Sequence, residues 1–75
     1  MALKVYAITS RGYAETPAEV ATLDEALGLA HTLRCFDNSR AVVIADEDDT
    51  QVLAWERELR GRWLPTTQPP RLGYP

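Results

Sequence analysis

The chain reads as a small α+β domain of order β-β-α-β-β. The expected form is an antiparallel four-stranded sheet, with one helix packed on one face and a Pro-rich C-terminal tail. Three observations predict it. Alternating or continuous apolar runs of strand length occur at residues 3–9, 40–46 and 50–60. A single helical pattern lies between the first two. Pro65, Pro69, Pro70 and Pro75 crowd the end of the chain. Strands flanking one helix favour a layered solution in which the helix covers one sheet face.

Each element has a local reason. "LKVYAIT" is rich in β-branched and aromatic residues, and sends Leu3, Val5 and Ala7 one way and Lys4, Tyr6 and Ile8 the other. "TSRGY" follows, with Gly12 where a three-residue hairpin needs the left-handed conformation. The return segment "YAETPAEV" reads as an edge strand, since Pro17 lacks an N–H. Its rival reading is a helix start, with Thr16 as N-cap and Pro17 in the first turn.

The helix is expected over 23–36. Thr22 and Glu25 form a capping box, and Asp24 and Glu25 complement the positive end of the helix dipole. Leu23, Ala26, Leu27, Leu29, Ala30 and Leu33 then recur at helical spacing. Asp37 and Asn38 are turn residues. "RAVVIAD" reads as a buried central strand. "TQVLAWERELR" resumes alternation, with Leu53, Trp55 and Leu59 on one face and Val52 and Ala54 on the other. The implied division is an α+β domain at 1–59 and an extended or disordered basic tail at 60–75.

Size and charge limit the function. A chain of 75 residues has a modest core, contributing only about 3–5 kcal/mol. Cys35 is the only cysteine, so disulfides cannot supplement that core. A lone thiol without a signal peptide suggests a cytoplasmic setting, and no run approaches the length of a membrane span. Residues 1–59 carry all eleven acids and five bases, whereas 60–75 carry Arg60, Arg62, Arg71 and no acid. The acidic body makes nucleic acid an improbable partner.

Three constellations invite chemistry. Asp46 to Asp49 put four acids in a row, but adjacent side chains splay and cannot all converge on one ion. The row reads as the solvated tip of a hairpin. His31 and Cys35 share a helix face with Asp24 and Gly28, yet lack the further ligands zinc takes. "RGRW" joins arginines to Trp63 in a segment suited to docking. No catalytic, metal or cofactor-binding residue is assigned, and no cofactor is expected.

"EVATLDEALGLAHTL", followed by "RAVVIADEDD" and "QVLAW", resembles many short bacterial and phage proteins that pair a T-L-D-E-A-type helix start with a strand pair. The resemblance transfers no functional residue.

The expected function is a non-enzymatic protein-interaction module, expected to be a homodimer, that associates through the uncovered sheet face or strand edges. Its candidate surface is Tyr6, Ile8, Leu53, Trp55, Arg60, Arg62 and Trp63. The alternative is an acidic, nucleic-acid-mimicking inhibitor of a DNA- or RNA-binding protein, of phage or mobile-element type.

Overall fold

The computed structural model describes residues 2–36 and 38–67. The expected turn role of Asp37 and the reading of residues 68–75, with Arg71 and Tyr74, lie outside them. The elements run β1 (Leu3–Thr9), β2 (Ala18–Val20), α1 (Leu23–Arg34), β3 (Ser39–Ala45), β4 (Gln51–Arg57) and β5 (Trp63–Pro65). They form one α+β unit whose sheet is antiparallel throughout, in the order β2-β1-β3-β4-β5.

The sheet has five strands rather than four. The fifth comes from the segment expected to be tail. Gly61, at φ 91°, lets the chain reverse after Glu58, where Glu58 N–H donates to Arg62 O at 2.8 Å. Trp63 then returns opposite Arg57. Pro65 closes this edge strand, where a missing N–H is tolerated.

The first hairpin forms as expected. Gly12 adopts φ 90° and closes the loop, with its N–H on Thr9 O at 2.8 Å. The return strand is shorter than the sequence suggests. Only Ala18–Val20 pair with β1 as β2, and Ala14 makes an isolated bridge to Ile8. Pro17 interrupts the ladder, and no helix starts at Thr16.

Helix α1 begins where the capping box places it. Thr22 Oγ1 accepts from Glu25 N–H at 3.2 Å, and Glu25 Oε2 accepts from Ala21 N–H at 3.4 Å. It ends at Arg34, with Cys35 as C-cap, two residues short of the expected end.

The helix packs on β1 and β3. Between them lie Leu3, Val5, Ala7, Ala26, Ala30, Val42 and Ile44, with Val20, Leu29, Leu33, Trp55 and Trp63 at the margin. The opposite sheet face holds Ile8, Ala41, Val43, Ala45 and Ala54, all buried. The expected wide apolar patch on that face is therefore reduced to its rim, Val52, Leu64 and half-buried Tyr6.

The core is made of small side chains. Among the described residues, half of the twelve buried apolar ones are alanines, and the largest fully buried ones are Ile and Val. Tyr13, Leu23, Leu27, Phe36, Val52, Leu53, Leu59 and Leu64 stay exposed.

Candidate functional site

The acidic row resolves into a structured turn. Asp46 Oδ1 accepts the backbone N–H groups of Asp48 and Thr50, both at 2.9 Å. A carboxylate that bonds the backbone two residues on is an Asx turn. Asp49 takes φ 62°, the left-handed conformation that a bulged hairpin of this length requires. Its Oδ1 meets Lys4 Nζ at 2.9 Å, and Glu47 Oε1 accepts from Ala2 N–H at 2.8 Å. Three of the four carboxylates thus hold the local fold. Among the described residues, no three His, Cys, Asp or Glu side chains gather to hold a metal ion.

Asp49 also acts on its neighbours' protons. The hydrogen bond and the charge of Asp49 raise the Lys4 ammonium above its ordinary value of 10.5. Burial, and secondarily the Asp49 charge, raise the Tyr6 phenol above 10.0.

His31 and Cys35 are both exposed. The Cys35 thiol donates to the His31 backbone carbonyl at 3.4 Å, which is a helix-end contact rather than a thiol–imidazole pair. Asp24 lies seven residues before His31, about 10 Å along the axis, so the three side chains assemble no centre.

A different constellation forms where β4 and β5 extend beyond the helix. The Arg34 guanidinium carbon lies 4.3 Å from the centroid of the Trp55 ring. Trp55 faces the helix side of the sheet, opposite Val42 and Pro65. In the next row Arg57 stands opposite Trp63. Arg34, Trp55, Arg57 and Trp63 thus lie on the helix side of this end of the sheet. Arg57 is held by contacts of its own, and its guanidinium lies beside Gly61. Among the described residues, the buried Arg34 Nη1 and Arg40 Nη2 find no hydrogen-bond partner. A buried charged donor without an acceptor is costly and needs an explanation.

An open cleft of about 590 Å³ runs along β4 and β5, with Leu53, Trp55 and Pro65 in its lining. On the helix, Leu27 lies two turns before Arg34 on the same flank and stays exposed.

The expected surface residues divide between the two faces. Leu53, Trp55 and Trp63 belong to the helix side, and Arg60 and Arg62 lie in the loop beside it. Arg62 Nε pairs with Glu58 Oε1 at 2.8 Å. Leu59, expected to share a face with Trp55, is fully exposed in the same turn. Tyr6 and Ile8 lie on the opposite face, bordering a second hollow with Pro17 and Asp49. Sequence reasoning missed Arg34 and Arg40. The available signals were a cation sharing the flank of Leu27 and Leu23, and one alternating with Val42 and Ile44.

Charge is segregated along the strands. The Asp46–Asp49 hairpin, Glu19, Asp24 and Glu25 lie at one end of the sheet, with Lys4 among them. Arg11, Arg34, Arg40, Arg57, Arg60 and Arg62 lie at the other, with Glu56 and Glu58. No helix among the described residues is long and apolar enough to cross a membrane. No protein-family model, curated protein or solved structure matches this chain.

Proposed function

We propose that this chain is a small non-enzymatic protein-interaction module that self-associates. The observation that carries this reading is how many large apolar side chains stay outside the core. Among the described residues, half of the twelve buried apolar side chains are alanines, while eight large apolar ones stay exposed. Contiguous apolar surface marks interaction sites, and Leu53 adjoins half-buried Trp55 and Trp63 on the helix side of β4 and β5. The small core also gains stability by burying it against a partner.

The favoured surface is the helix side of β4 and β5, where Leu53, Trp55 and Trp63 adjoin arginines. The expected route through the opposite face is weaker, because its centre is already buried. The strand edges remain a second route, since β2 and β5 are three-residue outer strands.

Sedimentation equilibrium tests the reading. The expected result is an average mass above the 8.4 kDa of one chain, rising with concentration in the micromolar range. A constant monomer mass overturns it.

One observation favours the acidic-inhibitor alternative: seven acids gather at one end of the sheet. Lys4 lies among them and Glu15 lies apart, which breaks the continuous phosphate-like surface that such mimicry requires. Competition with a DNA fragment for a basic DNA-binding protein tests it, and no displacement removes it.

A further inference from the structure

We propose that the hollow beside Tyr6 receives the Leu59–Arg60 turn of a second copy of this chain. The proposal rests on the self-association reading and adds a contact to it. One copy offers the loop beside the favoured surface, and the next offers its opposite face.

The turn has the form of a knob. Glu58 N–H donates to Arg62 O at 2.8 Å, and Gly61 N–H donates to Glu58 O at 2.9 Å. The pair of Arg62 Nε with Glu58 Oε1 at 2.8 Å braces the same loop. At its tip Leu59 is as exposed as in an extended chain, at 108%. An apolar side chain held out by an ordered turn has most to gain from burial against a partner. Arg60, beside it, is exposed and makes no ion pair among the described residues. A braced turn also loses little entropy on docking.

The hollow has the complementary chemistry. It measures about 510 Å³ and is walled by half-buried Tyr6 and by exposed Ala14 and Pro17. Glu15 and Asp49 add two acids to its lining. Asp49 is shared with Lys4 at 2.9 Å, whereas the Glu15 carboxylate has no partner among the described residues. Burial, and then the Asp49 charge, raise the Tyr6 phenol, so a negative potential reaches the hollow. A guanidinium suits this lining, because its charge pairs with a carboxylate and its plane stacks on a tyrosine ring. Leucine in turn fits the wall of Ala14 and Pro17.

Both halves of the contact belong to one chain. Asp49 brings the acidic end of the sheet to the hollow, and the turn belongs to the arginine end. Like charges keep hollow from hollow and turn from turn, so copies meet turn to hollow. The two surfaces are distinct, which makes the contact heterologous.

Charge exchange tests the pairing by sedimentation equilibrium, with circular dichroism as the check on folding. Arg60→Glu and Glu15→Arg change exposed side chains, and each is expected to weaken association about tenfold or more. The double variant carrying both is expected to recover most of the wild-type affinity, because the opposite charges meet again with their places exchanged. Leu59→Ser is expected to weaken association about tenfold without moving the urea midpoint of the monomer, since Leu59 packs on nothing within its own chain. It keeps the test decisive if a charge variant fails to fold. Association unmoved by Leu59→Ser and by both charge variants overturns the contact and leaves the module reading standing. Loss in both single variants without recovery in the double overturns it too. A wild-type chain that stays monomeric overturns both readings. If that monomer binds a poly-arginine peptide, and Glu15→Arg abolishes the binding, a foreign basic partner replaces the second copy.

Discussion

Arg34, the last residue of α1, lays its guanidinium 4.3 Å from the ring of Trp55 in β4. The contact joins the helix to the part of the sheet that lies beyond it. A cation over an indole face contributes about 0.5–2 kcal/mol, depending on desolvation, and the arginine stem adds packing. Arg34→Ala is expected to cost about 1 kcal/mol in urea unfolding of the wild-type and variant chains. A double-mutant cycle with Trp55→Leu is expected to give a coupling of about 0.5–1 kcal/mol. A coupling of zero would mean that the stack contributes nothing.

The acidic hairpin has a graded sensitivity. Asp46→Ala removes the acceptor of two backbone N–H groups and is expected to cost about 1–2 kcal/mol. Asp49→Val forces a branched side chain into the left-handed region and is expected to cost about 1–2 kcal/mol. Asp49→Gly relieves the backbone and loses only a surface ion pair worth about 0–1 kcal/mol. Denaturation midpoints of the three variants check the order, and equal effects would contradict the turn assignment.

Stability is expected to fall as pH rises above about 10. Lys4 and Tyr6 both have folded-state values raised above their ordinary 10.5 and 10.0. In that range the folded chain holds protons that the unfolded chain has released, so stability decreases as pH rises. Their contribution is present below the unfolded values and is lost as pH passes the folded ones. Asp49→Asn weakens the cause at Lys4 most, and is expected to flatten the fall. Urea midpoints at about pH 8 and pH 11, with tyrosinate absorbance, test it.

Helix α1 offers one loss and one gain. Thr22→Ala removes the cap on Glu25 N–H and is expected to cost about 1 kcal/mol. At Gly28 an added Cβ meets nothing within 4 Å. Gly28→Ala is therefore expected to stabilise the chain by about 1 kcal/mol, the propensity difference in a helix interior. Thermal unfolding separates the two, and a destabilised Gly28→Ala would mean that another chain approaches there.

The sequence was most informative where rules are local. The three-residue loop with Gly12, the capping box of Thr22 and Glu25, and the alternation of β1 each depend on neighbours within a few positions. The acidic row was legible as a turn for the same reason, although its bonds to Ala2 and Lys4 were not. The "RAVVIAD" run hid its parity, because residues apolar on both faces carry no alternation. That is why Val43 and Ala45 were not read as the buried centre of the second face. The tail prolines masked β5, which depends on Gly61 to return the chain to an edge where Pro65 does no harm.

By itself the sequence determined the order of the first four strands and the helix, the helix start and the hairpin tips, because short-range hydrogen bonds and periodicity set them. Only the tertiary structure decided which side chains meet. Arg34 finds Trp55, Trp55 faces Val42, and Tyr6 parts from Trp63, because strand order and register bring together residues far apart in the chain. The separation of acids from arginines has the same origin. Antiparallel pairing gathers alternate turns at each end of the sheet, so charges interleaved along the chain become two opposite poles.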